Sequence, residues 1–231
     1  MSDIKVGVIC PTRGDRPKFL EQFKKYVSRQ TLQPTVVEIV DFEPTDDLCD
    51  ITKRYKYGYD KLRGQGLDLI AFLEDDEFYA PNYLEVMVEG WLKHGCPKMF
   101  GLDYTIYYHL LVGKDFVFKH DKRASMMSTL MKPDMSFEWC RDDYAYTDSH
   151  LWKTVGGKVW NPRMEITVGI KHGLGMTGGQ YHTNNLQKYN QNNIDFRRLV
   201  GEEDFSFYQS LYPPNVKLIR DKQKGLVIYG L

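Results

Sequence analysis

The chain lacks net charge: its 31 basic residues are matched by 31 acidic ones over 231 positions. Bulk charge therefore gives no case for nonspecific binding to nucleic acid or a membrane surface, and such binding would need a local patch. Long apolar runs are missing too. None approaches the ~20 residues that a membrane-crossing helix needs, so no membrane span is expected. Met1-Ser2-Asp3-Ile4-Lys5 leads straight into a strand-like segment without the pattern of a signal peptide. Cysteine is sparse. Cys10, Cys49, Cys96 and Cys140 form no CxxC pair, which argues against a cysteine-built zinc site and fits a reducing cytoplasm. Cys10 sits in an apolar run and reads as an inert buried thiol. Neither internal repeats nor low-complexity linkers break the chain.

What is present is a regular alternation of patterns. Residues 5–10 carry the β-branched Val6, Val8 and Ile9 and read as a strand, and Pro11-Thr12-Arg13-Gly14-Asp15-Arg16-Pro17 as a turn. Residues 18–29 place Phe19, Leu20, Phe23, Tyr26 and Val27 at helical spacing. Strands are expected over 35–42 and 67–73, and helices over 48–62 and 81–93. This strand-helix order over the first ~95 residues predicts a mainly parallel sheet flanked by helices. Beyond it the pattern changes. Segments 98–112 and 115–119 predict strands of a smaller, antiparallel part, 126–131 a short strand, and 142–155 and 203–211 helices. The length suits a single α/β domain whose halves meet near residues 97 and 98. Glu202-Glu203-Asp204 reads as an acidic helix start favoured by the dipole.

The most telling stretch is Leu69-Ile70-Ala71-Phe72-Leu73-Glu74-Asp75-Asp76-Glu77, an apolar strand that ends in four acids. Clustered carboxylates repel and raise one another's pKa. A divalent cation such as Mg²⁺ or Mn²⁺ offsets that repulsion and prefers carboxylate oxygen. Ligands of open α/β sheets gather at the carboxyl ends of strands. If the pleat continues through the acids, Asp75 and Glu77 turn away from Glu74 and Asp76.

Taken in order, Val8-Ile9-Cys10-Pro11-Thr12-Arg13, Glu38-Ile39-Val40-Asp41 and Phe72-Leu73-Glu74-Asp75-Asp76 resemble the family-2 glycosyltransferases of the GT-A fold. The resemblance covers the first ~95 residues well and the rest loosely. It implies a metal-dependent glycosyltransferase of hexosyltransferase type, using a nucleotide-diphosphate sugar, by expectation a UDP-sugar, with Mn²⁺ or Mg²⁺ as cofactor. It also implies that Pro11, Thr12 and Arg13 border the nucleotide and that Asp41 accepts from the base. Glu74 and Asp75 then belong to the donor site, and Asp76 is the direct metal ligand. Two departures stand out. Arg13 is not the usual family residue, and Phe42 replaces a second acid after Asp41.

Inverting transfer needs a base for the acceptor hydroxyl. The family's acid-x-x-x-Trp pattern matches Asp148 with Trp152, and Asp143 is the second candidate; helix capping or pairing with Arg141 is the alternative role for either. The loop from Gly169 to His182 is rich in glycine, which lets backbone approach a ligand closely. Within it His172 is the candidate to complete the metal shell or contact the diphosphate, as the resemblance implies. The acceptor stays open among a glycan, a protein side chain and a nucleic-acid base. For the last, only segments 119–123 and 217–224 offer basic character. Two other readings remain: a nucleotidyltransferase, with Arg13 and Arg16 as phosphate contacts, and a non-catalytic carbohydrate- or nucleotide-binding module.

Overall fold

The computed structural model describes residues 4–44, 49–172, 189, 191–212, 217–221 and 225–229, the last two segments as backbone strands. Contacts divide the chain into two compact units, one of residues 1–105 and 119–167, the other of 106–118 and 168–231.

The first unit is built on a six-stranded sheet. Its strands are β1 (Val6–Pro11), β2 (Val36–Val40), β3 (Leu69–Phe72), β5 (Met99–Leu102), β8 (Thr129–Met131) and β9 (Lys158–Trp160), in the order β2-β1-β3-β8-β5-β9. β1 pairs parallel with both β2 and β3, and β5 parallel with β9; β8 alone runs the other way. Every residue of β1 and β3 is buried, as befits strands covered on both faces. A two-residue strand, β4 (Phe78–Tyr79), follows the acidic run.

Helices α1 (Pro17–Ser28), α2 (Ile51–Leu62) and α3 (Tyr83–Lys93) supply the cover. Pro17 starts α1 where a missing N–H costs nothing, and Phe19, Phe23 and Tyr26 form its buried stripe. Tyr55, Tyr59 and Leu62 do the same for α2. Gly58 brings α2 against the sheet, since a Cβ there would lie 2.6 Å from Ile9 Cγ2. Helix α4 (Thr147–Val155) is anchored at Trp152, whose indole N–H donates to Thr129 Oγ1 at 3.1 Å.

The second unit holds β7 (Lys114–Lys119), β10 (Thr167–Lys171) and most of β6 (Tyr104–His109), which lie side by side in the order β10-β6-β7 with β10 and β6 parallel. Helices α5 (Phe196–Val200) and α6 (Glu202–Ser210) follow. Phe196 of α5 stacks on Tyr108 at 3.9 Å. β11 (Lys217–Asp221) and β12 (Gly225–Tyr229) form an antiparallel pair. Among the described residues, no helix is long and apolar enough to cross a membrane.

Three expectations change. The strand expected over 98–112 is two, β5 and β6, in different sheets. The break falls at Asp103, whose N–H donates to Trp160 O and whose carbonyl accepts from His120. The helix expected from Asp142 begins at Thr147, because Thr52 Oγ1 donates to Tyr144 O and holds the preceding segment in a turn. β9 interrupts a stretch with no strand expectation. The remainder of the glycine-rich loop, residues 173–182, lies outside the described residues.

Candidate functional site

Sheet order β2-β1-β3 places the reversal of strand order between β1 and β3, and ligands of open α/β sheets bind at such a point, outside the carboxyl ends. Both sequence motifs end there: the turn from Pro11 after β1 and the acids after β3.

Leu73 still belongs to the sheet, donating its N–H to Ile9 O at 3.0 Å. Two tyrosines then hold Glu74. The Tyr55 hydroxyl donates to Glu74 Oε1 at 2.9 Å, and the Glu74 N–H donates to the Tyr79 hydroxyl oxygen at 2.8 Å. The chain turns at Asp75 and Asp76, and Glu77 N–H donates back to Glu74 O at 3.4 Å. That turn overturns the expected pleat. Alternation holds only while backbone is extended; here Glu74, Asp76 and Glu77 converge, with candidate ligand oxygens all within 4.8 Å of one another. Asp75 points inward, accepting from the Thr12 hydroxyl at 2.7 Å.

Arg16 closes the arrangement. Its guanidinium pairs with Asp75 Oδ1 at 3.1 Å and with Asp76 Oδ2. The Asp75 side chain is 1% exposed and Arg16 17%. Burial first, then the charge of Asp76, pushes the Asp75 carboxyl up from 3.8 to about 7, although Arg16 and the Thr12 hydroxyl oppose the rise. Burial works against the Arg16 cation, but Asp76 and Asp75 outweigh it and hold its pKa above the ordinary value. Cys10 is pushed well up by burial, with Asp75, Asp76 and Glu74 adding to it, so this thiol stays protonated.

The floor beside β1 is also polar. Thr12 N–H donates to Val40 O at 3.0 Å. The buried Arg54 donates to Thr12 O at 2.6 Å, to Val40 O at 3.1 Å and to Asp50 Oδ2 at 2.7 Å. Arg13 reaches the other oxygen of Asp50 at 3.4 Å. Asp41 lies exposed just past β2. Phe42, in place of a second acid, sits under Arg54 with the guanidinium carbon 4.2 Å from the ring centre.

Asp148 lies in the first turn of α4, with its side chain 18% exposed. It pairs with Arg123 and accepts from Ser149 N–H at 2.7 Å. Burial pushes its carboxyl above the ordinary value despite the opposing Arg123 cation. Its charge also acts on the Tyr55 hydroxyl, the group that donates to Glu74. Asp143 is half exposed and paired with Arg141 at 3.1 Å on the surface. His172 is buried in the second unit, where its carbonyl accepts from the Tyr212 hydroxyl.

The structure therefore brings Thr12, Glu74, Asp75 and Asp76 together and adds Arg16, Tyr55, Tyr79 and Glu77. Sequence reasoning weighs Arg16 only as a phosphate contact of a different enzyme. The available signal is a cation after β1 facing an excess of acid after β3. Three carboxylates without thiolate or imidazole form a donor set suited to a hard divalent cation. Such a cation competes with the guanidinium already on Asp76.

Fold and turn together define an α/β protein with an open, mainly parallel sheet and an oxygen-lined acidic turn at its switch point. No family model matches the chain, and no curated protein sequence does. Among solved structures, S. aureus TarS 1–349 in complex with UDP aligns over 90% of this chain and 73% of its own, at 11% identity and a TM-score of 0.46. Another crystal structure of S. aureus TarS aligns over 91% and 50%, at 12% identity and 0.44. A197 from STIV aligns over 66% and 80%, at 14% identity and 0.38. At these values the likenesses carry no argument about chemistry.

Proposed function

We infer that this chain is a metal-dependent glycosyltransferase that moves a hexose from a nucleotide-diphosphate donor, a UDP-sugar by the resemblance at Asp41, to an acceptor hydroxyl with inversion. The observation that carries this reading is the convergence of Glu74, Asp76 and Glu77 at the switch point of the sheet. Those three carboxylates would hold Mg²⁺ or Mn²⁺. When bound, the cation neutralises charge on a diphosphate leaving group. His172 is kept as a proposed contact of metal or diphosphate on the family resemblance alone.

The chain's own residues have separable tasks in this reading. Tyr55 and Tyr79 fix Glu74, and Thr12 and Arg16 fix the turn, so the acids need little reorganisation when a donor arrives. Asp41 accepts from the base. Asp148 takes the proton of the acceptor hydroxyl, and its raised pKa makes it a stronger base than an exposed carboxylate. Arg123 holds that carboxylate in place and keeps enough of it ionised to act.

The test is release of UDP from a set of UDP-hexoses with Mn²⁺ present, water serving as acceptor, for wild type and Asp148→Asn. The wild type is expected to release UDP from at least one donor. Asp148→Asn should keep UDP affinity and lose roughly a hundredfold or more in release. Equal release of UDP by the two proteins would remove Asp148 as the base, and UDP binding with no release by either would favour a non-catalytic binding module. Absence of release from every donor by the wild type would sink the enzyme reading.

A further inference from the structure

A polar cavity lies in the first unit, at the β9 edge of the sheet. Its volume is about 640 Å³, within the range of small-molecule sites. Lys93, His94, Asp103, Lys158, Trp160 and Arg163 form its working surface. The parallel strands β3, β5 and β9 end on the same side of the sheet, so Asp103 and Arg163, which follow β5 and β9, lie on the side that carries the acidic turn. Three strand spacings, roughly 14 Å, separate β9 from β3.

The charge here is unbalanced. Three permanent cations face one acid, and among the described residues none of Lys93, Lys158 and Arg163 has an ion-pair partner. Arg163 also holds a left-handed backbone (φ 58°), rare for a side chain of this size, and its N–H is fixed by Asn161 Oδ1 at 2.8 Å. Such outliers persist where surrounding structure over-determines them, often at binding sites. Asp103 has both backbone groups engaged, to Trp160 O and from His120 N–H, which fixes its backbone at the cavity. Its Oδ1 is buried and finds no donor among the described residues. That oxygen is closed to solvent, so a ligand in the cavity would meet Asp103 through its other carboxylate oxygen.

The floor is tightly built. Trp160 stacks on Phe100 at 5.8 Å and leans on His94, and a Cβ on Gly90 would lie 2.5 Å from Trp160 Cζ3. Cations ask for an anionic group, and Asp103 and Asn161 ask for hydroxyls. We propose that this cavity is a binding site for a phosphorylated sugar, with Lys158 and Arg163 on the phosphate and Asp103 on ring hydroxyls. The site is distinct from the acidic turn and does not rest on the donor reading.

The test is calorimetry in EDTA, without nucleotide, using glucose 6-phosphate, inorganic phosphate, glucuronate and glucose as probes. The variants are Lys158→Glu combined with Arg163→Glu, and Asp103→Asn, each checked for unchanged thermal unfolding. Glucose 6-phosphate should bind, at least tenfold tighter than phosphate or glucose alone. The double variant should lose at least tenfold and Asp103→Asn about threefold. Equal binding of phosphate and glucose 6-phosphate would reduce the cavity to a nonspecific anion patch and overturn the proposal. Preference for glucuronate would replace phosphate by carboxylate and likewise overturn it. So would no binding by the wild type, or binding that the double variant retains.

Discussion

Replacing Asp75 by Asn should remove part of the loss of stability that the protein suffers as pH rises. The Asp75 side chain is 1% exposed and its carboxyl is held at about 7 against an ordinary 3.8, first by burial and then by Asp76. The folded state thus keeps a proton that the unfolded chain releases. For a carboxyl raised in this way, the stabilisation is fully present below the unfolded pKa and is lost as pH climbs through the folded one. Over the whole window this is worth about 4 kcal/mol. Between about pH 5 and about pH 8 some two-thirds of it remains to be lost, roughly 2–3 kcal/mol. Asn keeps the shape and the neighbour Thr12 but cannot ionise. Urea unfolding in EDTA at both pH values reads the difference directly. The fall for wild type should exceed that of Asp75→Asn by roughly 2–3 kcal/mol. Equal falls, or a steeper one in the variant, would refute the placement of a buried, proton-holding carboxyl beneath the acidic turn.

Further outcomes follow from the same geometry. Arg16→Gln removes the cation that competes for Asp76, so Mn²⁺ affinity by calorimetry should tighten by about tenfold, or about 1.4 kcal/mol. Because burial raises the Asp148 carboxyl, UDP release should fall on the acid side at a higher pH than an exposed aspartate would give, as the base becomes protonated. That limb of the pH profile should vanish with the residual activity of Asp148→Asn. Gly101→Ala forces a Cβ to 2.4 Å from Ala124 Cβ and 2.8 Å from the Ser128 carbonyl oxygen; it should cost about 1–3 kcal/mol in urea unfolding.

Much of the sheet half was legible because its periodicities are long. The stripe of Phe19, Phe23 and Tyr26 and the fully apolar run of β3 each have one sensible partner, a covered parallel sheet. β4 and β9 were not legible, being two and three residues long, too short for any period to show. The break at Asp103 depends on hydrogen bonds to Trp160 and His120, which are distant in sequence. The acidic turn announced itself as a run of like charges on a strand end. Its supports did not, because Arg16, Tyr55 and Tyr79 come from three other elements and read individually as a turn residue and two core aromatics. The expected pleat at Asp75 failed for a local reason: four adjacent acids relax by turning, and one of them goes to the nearest cation and hydroxyl.

The most direct measurement is calorimetric titration of UDP, with and without Mn²⁺, on wild type and Asp76→Ala. UDP binding that requires Mn²⁺ and disappears in Asp76→Ala is the expected result. Absence of UDP binding under any metal condition, or Mn²⁺-dependent binding that survives loss of Asp76, would contradict the assignment of Glu74, Asp76 and Glu77 as the cation site of a nucleotide-sugar enzyme.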